Sequence, residues 1–98
     1  MSREVKNLRK LARGRACAVR LPGCLGASET VVLAHYRLSG LCGAGLKPSD
    51  LLGAWTCAPC HDAVDGRRQI DMPRDLVRLC HAEGVIRTLA ALEREGVI

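Results

Sequence analysis

The chain has 98 residues, with Tyr36 and Trp55 as its aromatics and no Phe, so its core must come from Leu, Val, Ile and Ala. A core of that size is small, and domains near it are often completed by a metal or a crosslink. The formal net charge is +5, no run reaches the roughly 18–20 apolar residues of a membrane span, and residues 1–10 lack the apolar stretch of a secretory signal. These features argue against membrane and secreted classes. They predict a cytoplasmic protein with reduced or metal-bound thiols.

Taken in chain order, residues 3–12 predict a short amphipathic helix with Val5, Leu8, Leu11 and Ala12 on one face, ended by Gly14. Arg3, Lys6, Arg9, Lys10, Arg13, Arg15 and Arg20 place seven of the fifteen basic residues in the first twenty positions, opposed there by Glu4 alone. Such an arm, spanning residues 1–15, would neutralise phosphates and bind DNA without sequence preference; a solvated, solubilising face is the blander reading of the same charges. Residues 15–28 read as a turn punctuated by Pro22-Gly23 and Gly26. Residues 30–36, Thr-Val-Val-Leu-Ala-His-Tyr, are β-branched and apolar and predict a strand with His35 near its end.

Three glycines make residues 39–47 a loop. Ser49 or Asp50 can then cap a short helical turn through Leu51-Leu52. Trp55-Thr56 predicts a brief second strand running into Cys57, and Pro59 suits the first turn of a helix that Gly66 would end. Residues 73–82 and 84–95 predict two further helices, with Gly84 as the break and Gly96 as a cap. Val85, Leu89 and Leu92 share one face of the second.

The cysteines carry the clearest chemistry. Cys17 and Cys24 bracket Leu21-Pro22-Gly23, and Cys57-Ala58-Pro59-Cys60 follows after 32 intervening residues with His61 directly behind it. Thiolates presented by two tight turns can close a tetrahedron around Zn²⁺. The alternative is a disulfide framework, since six cysteines are present. Absence of any mark of an oxidising compartment favours structural zinc, with His61 in place of Cys17 as a variant fourth ligand. Cys42 and Cys80 fit neither turn and read as ordinary thiols, His81 as a surface or capping residue, and Trp55 as core.

Two histidines and an aspartate then fall around this staple. His35 suits general-base work, since imidazole ordinarily exchanges its proton near neutral pH. His61 and Asp65 stand four apart and share a helix face, offering N and O donors to a divalent ion. Arg67 and Arg68 follow that helix and can contact phosphate or simply be solvated.

Leu33-Ala34-His35, Arg37 to Gly43, Lys47-Pro48-x-Asp50 and Cys57-x-x-Cys60-His61-Asp62 together resemble the YbcO family of small prophage nucleases, as do Leu8 to Cys17 and the closing Glu95-Gly96-Val97-Ile98. The glycine-rich loop, Lys-Pro-x-Asp and CxxCH are also similar to the RecA-dependent nuclease Ref, within the HNH endonucleases. The resemblance implies an α+β fold: one zinc-stapled ββα-metal (HNH or His-Me finger-like) domain over residues 1–98 with flanking helices. It implies zinc on Cys17, Cys24, Cys57 and Cys60, His35 as base, Asp50 orienting it, and a catalytic Mg²⁺, Mn²⁺ or Zn²⁺ on His61 with Asp65. Most HNH enzymes carry Asp or His immediately before the base, and here that position is Ala34. The expectation is therefore a metal-dependent DNA endonuclease. The alternatives are a non-catalytic zinc-binding nucleic-acid-binding protein, or an adaptor of phage origin for a recombination or replication protein.

Overall fold

The computed structural model describes residues 7–38, 40 and 49–98. Its elements, in order, are α1 (Leu8–Ala12), β1 (Val32–His35), a 3-10 turn (Asp50–Leu52), β2 (Gly53–Thr56), α2 (Ala58–Val64) and α3 (Arg74–Arg94). This is an α+β arrangement around a two-stranded sheet. The glycine-rich loop over 39–47 lies, apart from Gly40, outside the described residues, as do Cys42 and the arm residues Arg3 and Lys6.

Among the described residues α1 runs from Leu8, where the Asn7 side chain accepts the Lys10 N–H at 3.3 Å and caps it; positions 3–6 of the expected helix lie outside the described residues. Leu8 and Ala12 are its buried face. β1 pairs antiparallel with β2 in the register Val32↔Thr56, Leu33↔Trp55, Ala34↔Ala54 and His35↔Gly53. The second strand is thus longer than Trp55-Thr56 alone. Gly53 extends it because a Cβ there would come within 2.5 Å of Leu33 Cγ; the strand tolerates no side chain at that point, and His35 meets none across the ladder.

β2 is buried along its whole length. At its edge away from β1 the Trp55 carbonyl accepts the Ala18 N–H at 2.7 Å, and α3 lies against the strand, with Thr88 Oγ1 accepting the Trp55 N–H at 3.0 Å. Leu8, Val19, Leu21, Val31, Leu33, Trp55, Val77, Val85 and Leu92 fill the core, and the four cysteines of the two turns adjoin it.

One expectation fails. Residues 74–94 form a single helix that runs through Gly84. The glycine is a contact and not a break: a Cβ there would lie 3.0 Å from Val19 Cγ2 and 3.2 Å from Ala54 Cβ. Gly66, by contrast, has φ +80° just past α2, the left-handed conformation that ends helices at glycine.

Candidate functional site

Two tight turns bring the thiols together. The Cys17–Cys24 turn includes Arg20 at φ 60°, and Cys57 caps α2 so that Cys60 lies in its first turn. The four Sγ atoms of Cys17, Cys24, Cys57 and Cys60 all lie within 4.8 Å of one another, and Cys57 Sγ is 3.9 Å from Cys24 Sγ. A tetrahedron of about 2.3 Å metal–sulfur bonds has edges of about 3.8 Å, so the quartet needs only slight contraction to hold a metal ion such as zinc.

Hydrogen bonds point the same way. The Leu25 N–H donates to Cys57 Sγ at 3.4 Å and the Gly26 N–H to Cys24 Sγ at 3.3 Å. A hydrogen bond from Cys60 lowers the Cys17 thiol to about 4 against the opposing effect of burial, and the same bond raises Cys60. Burial, then neighbouring thiols, also raises Cys24. One thiolate forms readily and resists the next; a bound dication removes that resistance, because the thiolate is the ligating form. All five described cysteines are free thiols, so no disulfide framework forms among them. His61 is not among the gathered donors.

His35 lies at the other end of the sheet. It ends β1, and its Nε2 is 2.7 Å from Asp50 Oδ1 on the 3-10 turn. The turn is anchored by Ser49, whose hydroxyl accepts the Leu51 N–H, and by the Tyr36 N–H donating to the Leu52 carbonyl at 2.8 Å. The His35 hydrogen bond, and then Arg9 at 3.4 Å, hold the Asp50 carboxyl below its ordinary range. An ionised carboxylate can only accept, so His35 donates to it from Nε2, and in the neutral ring this tautomer leaves a lone pair on Nδ1.

On α2, His61 Nε2 lies 3.3 Å from Asp65 Oδ2, and Arg67 shares that oxygen at 3.1 Å. This pair supplies one nitrogen and one oxygen donor. Among the described residues the thiol quartet is the one cluster of three or more such donors. A cleft of about 240 Å³ brings His35 and Asp65 together with Tyr36, Arg37, Arg78 and His81.

His81, expected as a surface or capping residue, is 5% exposed, with Nε2 3.0 Å from the Ala34 carbonyl. It therefore holds the end of β1, one residue before His35. Its position was legible: Val77, His81, Gly84, Val85 and Thr88 make one buried helical stripe. Burial lowers its pKa, so it donates its proton to that carbonyl as a neutral ring.

Several basic residues are already engaged. Arg13 pairs with Glu29, and Arg15 grips Glu95 with two N–H groups while its guanidinium lies 4.8 Å from the Trp55 ring centre. Arg67 also pairs with Asp62, and Arg68 donates to the Pro59 and Pro22 carbonyls. Lys10 is exposed.

A family model described as "Putative nuclease YbcO" matches residues 6–97. "Putative nuclease YbcO" of Escherichia coli K12 is 50% identical over 93 residues, covering 94% of this chain and 96% of that one. A protein of the same description from Enterobacteria phage 82 matches to the same extent. A solved structure, described as a putative bacteriophage protein from Escherichia coli K-12 MG1655, superposes with a TM-score of 0.76 at 43% identity, covering 92% of this chain and all of the other.

Proposed function

The chain belongs to the YbcO family, and from that premise we propose that it is a metal-dependent endonuclease that hydrolyses phosphodiester bonds in DNA. One observation carries the reading: the His35–Asp50 hydrogen bond of 2.7 Å beside a cleft that also takes in Asp65. Asp50 fixes the proton of His35 on Nε2, so that Nδ1 can accept the proton of an attacking water. His81 and Gly53 keep that ring at the mouth of the cleft, one by holding the Ala34 carbonyl and the other by leaving the facing position empty.

Cys17, Cys24, Cys57 and Cys60 would hold a structural zinc, stapling the first turn to the start of α2 in a unit taken to span residues 1–98. His61 and Asp65 would hold a catalytic Mg²⁺, Mn²⁺ or Zn²⁺, which when bound supplies positive charge to the phosphate. The order β1, β2, α2, with the base on the first strand and a histidine on the helix, supports an HNH-like relationship and the link to Ref. Lys10, with Arg3 and Lys6 ahead of it, would add electrostatic attraction for DNA, while Arg9 and Arg13 share their charge with Asp50 and Glu29. The natural setting of such chemistry is the cytoplasm.

Plasmid nicking with Mg²⁺, Mn²⁺ or Zn²⁺, run beside His35→Ala, tests the proposal. Loss of a positioned base should slow cleavage about 10²–10⁴-fold while zinc content and DNA affinity stay the same. Activity that survives the substitution refutes the role of His35. A second reading, a non-catalytic zinc module or recombination adaptor, is favoured by Ala34, which leaves the His61–Asp65 pair without the usual third donor. Wild-type protein and Ala34→Asp that are both inert with every ion would decide for it.

A further inference from the structure

We propose that Arg37 and Arg78 form the phosphate-binding wall of the cleft, so that a nucleic-acid backbone runs between the end of β1 and the first two turns of α3. The inference rests on the nucleic-acid reading above but not on cleavage. Arg74, Val77, Arg78 and His81 recur at i, i+3, i+4 and i+7 on α3, and all four line the cleft that contains His35 and Asp65. One face of a 21-residue helix therefore forms a wall opposite the histidine.

Of the cations in that cleft, Arg74 is committed to structure. It donates to the Ala63 carbonyl at 2.9 Å and also to the Val64 carbonyl, closing the C-terminal end of α2. Arg37 and Arg78 are exposed, and among the described residues neither pairs with a carboxylate. Arg78 is nonetheless held in place: its guanidinium carbon is 5.0 Å from the Tyr36 ring centre, and the other neighbour of that ring is His81, at 5.1 Å between centroids. A guanidinium stacked by its face keeps its N–H edges free for phosphate oxygens. The carboxylate in the cleft, Asp65, is offset by Arg67.

A rival surface exists beside Cys17, where Arg20, Arg87 and Arg94 line a second depression. Arg87 there donates to the Ala18 carbonyl and pairs with Glu83, which leaves Arg20 and Arg94 as its available cations. Trp55 also lines it, but the guanidinium over that ring is that of Arg15, which Glu95 already holds, and no histidine lines the depression.

The test is fluorescence anisotropy of a labelled DNA duplex with the zinc-loaded protein, without added Mg²⁺ or Mn²⁺, across 50–200 mM salt. The variants are Arg37→Gln/Arg78→Gln and, for comparison, Arg20→Gln/Arg94→Gln. Two lost phosphate contacts should flatten the slope of log K against log salt by roughly 1.8, so the deficit against wild type contracts about twelvefold between those concentrations. Arg37→Gln/Arg78→Lys, which restores the charge at position 78 and little of the stacking, should recover about half of that slope, roughly 0.9; failure to recover any would mean Arg78 serves packing and would overturn its assignment. An unchanged slope in the first double variant, a loss confined to the second, or no binding by wild type at 50 mM salt would each overturn the proposal. Plasmid nicking is scored separately, so an inactive protein that shows the predicted slopes would sink the nuclease reading and leave this one standing.

Discussion

Replacing Gly84 by Ala sets two known effects against each other. An alanine inside a helix is favoured over glycine by about 0.8–1.0 kcal/mol, and a glycine acting as a helix break would return that gain on substitution. Here the new Cβ would meet Val19 Cγ2 at 3.0 Å, Ala54 Cβ at 3.2 Å and the Ala18 carbonyl carbon at 3.3 Å. Carbon atoms prefer separations of about 3.5–4.0 Å. Val19 is 1% exposed and has nowhere to turn, while Ala54, fully buried on β2, and Ala18 are fixed by the backbone. The helix must therefore shift outward by a few tenths of an ångström, and overpacking of that kind costs about 1–3 kcal/mol. The shift also stretches two bonds between α3 and the sheet, Trp55 N–H to Thr88 Oγ1 and His81 Nε2 to the Ala34 carbonyl, each 3.0 Å long. The expected balance is a loss of about 1 kcal/mol, seen as a fall of about 4–8 °C in Tm for a chain of this length. Urea and thermal unfolding should be measured at equal, saturating zinc, because bound metal itself raises the apparent stability. A Gly84→Ala protein as stable as the wild type, or more so, would refute the packing argument.

Elemental analysis of purified protein should find one tightly held zinc per chain, lost in Cys57→Ser together with most of the folded population; a metal-free wild type of undiminished stability would dismiss the staple. His81 gives a pH dependence whose sign is fixed by its buried ring. Its folded pKa lies below the ordinary value, so as pH falls through about 6.5 the unfolded chain takes a proton that the folded chain refuses. Stability is fully present above that pH and is lost progressively as pH falls toward the folded pKa. His81→Gln keeps a donor for the Ala34 carbonyl but cannot titrate. The wild type should therefore lose urea resistance relative to this variant between about pH 7 and 5, and parallel curves would refute the buried neutral ring.

The parts of the fold legible from sequence were those written in local chemistry. The cysteine turns, the strand ending at His35 and the helix opened by Cys57-Ala58-Pro59-Cys60 and closed by Gly66 all depend on neighbours within a few residues. What escaped depends on the other side of the molecule. Gly84 has the same lack of a Cβ whether it breaks a helix or lets one approach a strand, and only Val19 and Ala54 distinguish the two cases. His81 looked superficial because its partner, the Ala34 carbonyl, is 47 residues away. The basic arm looked like a uniform electrostatic surface, yet Arg13 and Arg15 are matched to carboxylates at positions 29 and 95. Charge counted along a chain does not reveal which cations are already taken.

The thiol quartet also has a bearing on the order in which the protein is made. Its last member is Cys60, so all four ligands precede α3 along the chain, and the quartet can close in the interval before that helix docks. During this interval β2 lacks the helix that covers it, and Trp55 and Ala54 have no partner from α3. A metal captured by the quartet in that window would pin the first turn to the start of α2 and hold the Ala18–Trp55 backbone contact in place. The nascent strand would then be partly guarded until its cover arrives.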